Sequence, residues 1–446
     1  MLSRIFDVET GRIRNEQTPS NSGVFVEHAV LIESVRQICL AFKKVQLRCL
    51  PKREAAAIDS FIAIERSFQD FSLQTEEREY YTRVSRMLWD NLVSRISLAD
   101  CLPRHGPGAT ADRISGNQKF YWRRWHDRNE PYFPLVGVGF PLGLPPDSRE
   151  LIDVTVIPQD DEQPVRVTLV PKTLKSPRII AIEPCCQQFA QQGIRDALYR
   201  ALESYWLTQG RVNFRDQSVN QKLAVSASID GQLATIDLSD ASDRVPRDLA
   251  LDMFLSNPDL RDAIDACRST RAELPDGTVL GPLGKFASMG SALCFPVEAM
   301  YFYTLCVMAL LREHTFSLSF ENLEKVSRMI HVYGDDIIVP ATNATAVLDC
   351  LRKYNCKAND AKTFWTGKFR ESCGVDAYNG RQVQPVYVRH MQPENRRDAK
   401  QIISWCKTGN LFAKKGYLRT AAFMFEKLER LVGPLPNVAE TSAGLG

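Results

Sequence analysis

Apolar residues recur at three- and four-residue spacing through "VEHAVLIESVRQICLAFKKVQL" and again, after an acidic start, through "TEEREYYTRVSRMLWDNLVSRISLAD". That period puts one apolar face on a helix, so residues 24 to about 100 are predicted to be mainly helical. The texture changes at 101. "CLPRHGPGATADRISGNQ" is punctuated by glycine and proline and reads as loop, and the proline-bearing stretch 131–150 is irregular. "VRVTLVPKTLKSPRIIAIEP" (165–184) alternates on either side of a basic loop, which predicts a β-hairpin. A helix is expected over 187–208. In "GQLATIDLSDASDRVP" (231–246) a short strand runs into an acidic turn, with a helix after Arg247. Residues 286–311 read as a loop entering a long helix, and 329–340 as a second hairpin. "NATAVLDCLRKYN" is an amphipathic helix with Asn343 as its cap, and the tail from Leu431 is expected to fray.

At 446 residues the chain is long enough for one large multi-lobed unit or two to three domains. Hydrophobic content of 44% and charged content of 24% are ordinary for a globular protein. A net charge of +3 does not by itself argue for nucleic acid, so local basic clusters carry that question. The twelve cysteines contain no CxxC pair and the six histidines are scattered, against both a disulfide framework and zinc. No secretory apolar stretch follows "MLSRIFDVETGRIRN", so reduced, mostly buried cysteines and a cytoplasmic setting are expected. The run "AMYFYTLCVMALL" (299–311) falls short of a membrane span and follows Glu298, which predicts a core helix and no membrane partner.

The chemistry concentrates in "VYGDDIIV". Gly334 permits a tight turn, and the β-branched flanks predict buried strands, so Asp335 and Asp336 sit together at the hairpin tip. Two like charges about 4 Å apart repel by roughly 4 kcal/mol at an effective dielectric of 20. A divalent cation reverses that sign, and carboxylate oxygens suit Mg²⁺ or Mn²⁺. The plain alternative is an acidic surface turn. A second acidic strand end, "ATIDLSDASD", shifts the balance: if its strand pairs beside the hairpin, Asp237, Asp335 and Asp336 converge. Three carboxylates holding two cations suit phosphoryl or nucleotidyl transfer.

These residues resemble a known family. "VYGDD" is similar to the palm hairpin of RNA-dependent RNA polymerases, "TIDLSDASD" to their first metal-binding strand, and "FASMGSALCFPVEAMYF" to their ribose-sensing loop and helix. The nearer resemblance is to the replicases of single-stranded RNA bacteriophages, the leviviruses. It is carried by "RHGPGATADR", "VPKTLKSPRIIAIEP", "FRDQSVNQ", "FRESCGVDAYNGRQVQPVYVR" and the two acidic stretches, in order from about 104 to 389. The resemblance implies an α+β right-hand polymerase with an antiparallel palm sheet. Residues 1–100 would form a helical N-terminal extension and 101–230 fingers. A palm would follow at 231–389 with a fingers segment inserted at 247–285, then a small helical thumb and tail at 390–446. The implied reaction is template-directed addition of ribonucleoside monophosphates to an RNA 3′-OH with two Mg²⁺, for which Mn²⁺ can substitute.

The same resemblance implies Asp237, Asp335 and Asp336 as metal ligands, and Lys172, Lys175 and Arg178 as the triphosphate-binding loop. Cations spaced along a turn can face several phosphate oxygens, arginine bidentately and lysine as a point charge. Asp243, with Ser291 or its rival Ser288, is implied to read the ribose, since a 2′-OH both donates and accepts. This chain has Gly290-Ser291-Ala292 where the family pattern leads us to expect Gly-Asn-Gly. Lys362 matches a lysine that protonates departing pyrophosphate, with a plain surface lysine as the alternative. "FRESCG" resembles the hairpin that supports the product end, with Cys373 as packing. Outside the match, "KFYWRRWHDR" has a strand-binding composition, with Lys119, Arg123 and Arg124 as candidate RNA contacts; rings in a core with arginines outward is the equal alternative. His331 reads as a core or supporting residue, and His105 as a loop residue without a derivable role.

Expected partners are RNA template and product and ribonucleoside triphosphates. By resemblance, host elongation factors Tu and Ts and ribosomal protein S1 join them, in the cytoplasm of an infected bacterium. Two rival readings stand: a reverse transcriptase, which also uses Tyr-x-Asp-Asp, and a non-catalytic RNA-binding module. The acid at 243 and the serine-rich loop favour ribonucleotides over the first; the paired acids have no explanation under the second.

Overall fold

The computed structural model describes residues 17–19, 25–145, 147–173, 175–439 and 441–446. It mixes helices and mostly short strands. The described residues form two compact units. One takes its residues from Met1–Ala57, Val170–Arg178 and Ala377–Gly446, the other from Ile58–Leu169 and Ile179–Asp376.

The larger unit is organised around the helix Cys294–Glu313, apolar on every side because protein covers every side. The helix extends N-terminally beyond the apolar run read from the sequence. By length and composition it could cross a membrane, but 94% of its most apolar window is buried within the protein. Aromatic tips at its surface find partners: Tyr301 OH donates to Tyr354 O at 2.6 Å and Tyr303 OH to Leu207 O at 2.8 Å. Trp89 Nε1 donates to Thr304 Oγ1 at 2.9 Å. Pairing of this kind lets large rings be buried without stranding a polar atom.

Against this helix lies a three-stranded antiparallel sheet in the order His331–Tyr333, Asp336–Pro340, Leu233–Ile236. Both outer strands gain further neighbours. Val332 exchanges backbone hydrogen bonds with the 211–213 segment, and Thr235 with Phe364. The strand leading to Asp237 is therefore flanked by the acidic hairpin on one side and by residues 358–364 on the other. Arg370 anchors the chain that follows. Wholly buried, it donates to the carbonyls of Leu233 (2.6 Å), Phe369 (2.7 Å) and Gly367 (2.9 Å). A guanidinium has five N–H donors and no acceptor, which suits a cluster of strand-end carbonyls.

The predicted hairpin forms from Val165–Val170 and Arg178–Ile182, and the helix expected at 187–208 runs Cys185–Ser204. Asp112, from "RHGPGATADR", receives the Cys185 backbone N–H at 2.7 Å near the start of that helix. The helix expected after Arg247 is only Arg247–Asp252, followed by Pro258–Ala266, because Asn257 caps a new start through Leu260 N. Asn343 takes the cap position of Ala344–Lys353, but its side chain makes no capping hydrogen bond there.

In the smaller unit, helices His28–Leu40, Ala399–Lys414 and Leu418–Val432 accompany a core that includes Val386, Trp405, Met424 and Leu428. Gln37 is buried there and satisfies both ends of its amide on the Val386 backbone. The last helix continues to Val432, beyond the start of the expected frayed tail. All twelve cysteines are free: Cys39 is exposed, Cys373 half-buried and the others buried.

Candidate active site

The hairpin turn is Gly334–Asp335, and Asp336 opens the second strand opposite Tyr333. Gly334 has φ +61°, and a Cβ there would lie 2.0 Å from Phe295 Cε2, so both conformation and contact exclude a side chain. The register with the next strand pairs Ile337 with Ile236, Ile338 with Thr235 and Val339 with Ala234. One step further along the same register, Asp336 faces Asp237. Opposed residues in an antiparallel pair lie about 4.5–5.5 Å apart at Cα, so these acids are cross-strand neighbours.

Asp336 is held down by its surroundings. Its backbone carbonyl accepts Asn220 Nδ2 at 3.2 Å, and Ser372 Oγ lies 3.4 Å from its carboxylate. Burial first, then the charges of Asp335, Asp237 and Glu371, push its carboxyl up to about 7, against a smaller lowering by the Cys373 backbone N–H. Asp237 is braced from the other side of the sheet. Asn359 Nδ2 donates to Oδ1 at 2.8 Å and Lys362 Nζ to Oδ2 at 2.9 Å. Lys362 also reaches Glu371 Oε1 at 3.2 Å; burial works against its charge, but Glu371 and Asp237 raise its pKa overall. Beneath the turn, Glu298 is buried. Burial, then Asp335 and Asp243, lift its carboxyl well above the usual range.

The cluster is therefore rich in carboxylates, with Lys362 as the ammonium in contact, and desolvation plus mutual repulsion are what perturb Asp336. A hard divalent cation would relieve both, so the oxygen donors and the charge fit Mg²⁺ or Mn²⁺. Among the described residues no three acids already stand as a closed metal cage, since the Asp237 carboxylate is turned onto Lys362 and Asn359.

Asp243 lies in the short helical turn Ser242–Arg244. Its Oδ1 accepts Ser288 Oγ at 2.7 Å and Lys285 Nζ at 2.9 Å. Ser291 is occupied elsewhere: its hydroxyl donates to Gln191 Oε1 at 3.1 Å, which also receives Ala292 N. Of the two rival serines, Ser288 is the one bonded to the acid.

Lys172, Lys175 and Arg178 are exposed on the hairpin loop, which belongs to the smaller unit; Leu174 lies outside the described residues. Thr173 Oγ1 receives the N–H groups of Lys175 and Ser176 and shapes that turn.

The basic aromatic stretch divides between its two readings. Trp122 and Trp125 are buried, while Phe120 and Tyr121 are 65% and 74% exposed. Arg123 and Arg124 are exposed, the latter 3.4 Å from Gln163 Oε1. Lys119 corrects the expectation. It is buried with its ammonium on the carbonyls of Gly106 and Gly108, closing the preceding loop instead of pointing outward. His105 is half-buried against the rings of Phe120, Trp122 and Phe189, and burial, then Lys119, push its pKa down to about 4. His331 on its strand is lowered to about 4 by burial, then Arg211.

Four contributors were not singled out from the sequence: Lys285, Glu298, Asn359 and Glu371. Asn359 stands three residues before Lys362, in "NDAKTF" (359–364), and Glu371 lies within "FRESCG". Nothing in the local pattern marks Lys285 as buried.

Residues 159–396 match the family model described as RNA replicase, beta-chain, and the chain belongs to that family. It is 37% identical over 216 residues to the RNA-directed RNA polymerase subunit beta of Qbeta virus (strain MX1), covering 48% of this chain and 34% of that protein. With the RNA-directed RNA polymerase beta chain of Escherichia phage MS2 it shares 37% over 215 residues, covering 48% and 36%. With that of Enterobacteria phage GA it shares 34% over 240 residues, covering 53% and 41%. The chain thus matches between a third and two-fifths of the length of these relatives. Among solved structures, the RNA-dependent RNA polymerase of a human picorbirnavirus aligns over 91% of this chain and 74% of its own at 10% identity. Its TM-score of 0.44 is too loose to carry the fold.

Proposed function

We propose that this chain performs template-directed RNA synthesis, joining ribonucleoside monophosphates to an RNA 3′-OH. The observation that carries the reading is the cross-strand pair Asp237 and Asp336 in one antiparallel sheet, set in a cluster with Asp335 and Glu371 that holds more negative charge than Lys362 offsets.

In this reading Asp237 and Asp336, completed by Asp335, would hold two Mg²⁺. Bound there, the ions supply charge neutralisation for the phosphates and acidify the attacking hydroxyl. The remaining roles fall to the chain's own groups. Lys172, Lys175 and Arg178 bind triphosphate oxygens. Lys362, a counter-ion to Asp237 with its side chain 42% exposed, is the candidate proton donor to departing pyrophosphate. Asp243 and Ser288 test for the 2′-OH. Arg123 and Arg124 remain candidate contacts for an RNA strand beside the exposed rings of Phe120 and Tyr121. The right-hand division into extension, fingers, palm and thumb belongs to this proposal, with the Asp237 sheet as palm. So do the host partners Tu, Ts and S1 and the setting in an infected bacterium.

The reverse-transcriptase alternative keeps the acids and changes the sugar; the Asp243–Ser288 hydrogen bond favours the ribonucleotide. The test supplies purified chain with a primed RNA template, Mg²⁺ and either rNTPs or dNTPs. Extension complementary to the template with rNTPs, lost on chelation, is expected. Extension only with dNTPs, or salt-sensitive binding without synthesis, would replace this reading by one of its rivals.

A further inference from the structure

Lys285 is the most deeply buried amine near the proposed ribose site, with no exposed surface. Its Nζ lies 2.9 Å from Asp243 Oδ1 and 3.6 Å from Glu65 Oε2, and 3.5 Å from the centre of the Phe61 ring. The backbone around it is fixed. Phe286 N donates to Val245 O at 2.8 Å, Arg247 N to Gly284 O at 2.9 Å, and Arg268 Nη1 to Lys285 O at 3.2 Å. The segment that carries the lysine is thus bolted to the segment just beyond Asp243, and the ammonium has little freedom to go elsewhere.

Burying an ammonium is costly unless its partners are well placed. Here Lys285 and Ser288 both bind the same carboxylate oxygen, while Asp243 Oδ2 makes no hydrogen bond among the described residues. We infer that Lys285 is a positioning residue for sugar selection: with Ser288 it fixes the plane of the Asp243 carboxylate so that Oδ2 is presented to a nucleotide 2′-OH. The inference rests on the polymerase reading and deepens it. A hydroxyl donates to that oxygen; a 2′-deoxy sugar leaves it desolvated and unpaired. Sites built on such a bond reject the analogue lacking it far more strongly than apolar pockets reject a missing methylene. Without the lysine, the carboxylate is free to rotate, and the penalty on a deoxy sugar falls.

The test measures kcat/KM for an rNTP and for its 2′-deoxy counterpart opposite the same template base, on the same preparation. The ratio of the two cancels the fraction of folded protein, so a merely structural role leaves it unmoved. Lys285→Met is expected to lower the ratio roughly ten-fold or more. The double variant Asp243→Asn with Lys285→Met removes both members of this ion pair together and leaves Glu65 as the one acid without its ammonium, a smaller charge imbalance than Lys285→Met alone. Its ratio should equal that of Asp243→Asn within about two-fold, because the lysine acts through that carboxylate alone. An unchanged ratio in Lys285→Met, or a double variant that departs from Asp243→Asn, overturns the inference. A wild-type chain that incorporates no ribonucleotide overturns the polymerase reading itself, and this role with it.

Discussion

Asp336→Asn is expected to lower ribonucleotide incorporation by roughly a thousand-fold or more while the melting temperature holds or rises. The two effects have separate causes. Asparagine keeps the shape of the side chain and an oxygen within reach of Ser372 Oγ, and the Asn220 bond goes to the backbone carbonyl, which does not change. The substitution removes one charge from a half-buried group already strained by its own desolvation and by Asp335, Asp237 and Glu371. Losing a member of a repelling cluster does not weaken the fold. Its loss does remove an anionic oxygen from the place where a cation would be shared with Asp237, and several kcal/mol of transition-state stabilisation go with it. Single-nucleotide extension and a thermal melt on the same variant check both halves. Retained incorporation, or loss of incorporation accompanied by unfolding, would count against the assignment.

Gly290→Ala is expected to have the largest effect on stability, about 4 kcal/mol or more, read as a shift in the urea midpoint. Gly290 has φ +135°, and a Cβ there would stand 1.9 Å from Ala181 O and 2.8 Å from Ala181 C. The obstacle is backbone, and Ala181 N is already bonded to Met289 O at 2.8 Å, so neither side can retreat without breaking that contact. Gly277 is the control. It too has a positive φ, +88°, but nothing lies within 4 Å of its Cβ position, so Gly277→Ala costs only about 1 kcal/mol of backbone strain. Equal losses at the two positions would show that conformation alone, without the close approach to strand Arg178–Ile182, governs the loop.

Those two glycines show why some of the protein was legible before its structure and some was not. Period-two alternation identified the strands holding Asp237 and Asp336, and Gly334 between β-branched runs identified their turn, because both signals are local. Pairing between those strands was an added supposition; the observed register agrees with it. Lys362 sat in a recognisable motif, yet its contact with Asp237 depends on residues 358–364 covering the far edge of the sheet, a long-range event. A lysine among aromatics and arginines, as at Lys119, looks the same in sequence whether its ammonium faces solvent or closes a loop of carbonyls. The burial of Lys285 is a property of Phe61, Glu65 and Asp243 coming together, and no spacing along the chain announces it. Ser291 and its rival Ser288 differ only through long-range contacts: Gln191, a hundred residues from Ser291 in sequence, takes the Ser291 hydroxyl, while Ser288 bonds Asp243.

Under the proposed function the facing carboxylates of Asp237 and Asp336 share a cation. Crystals soaked with Mn²⁺ and a ribonucleoside triphosphate test it directly through anomalous diffraction. The expected result is a peak about 2–2.5 Å from an oxygen of each aspartate, with Lys362 released from Asp237. Manganese bound only at other acids, with the Asp237–Lys362 ion pair intact at saturating metal, would contradict it.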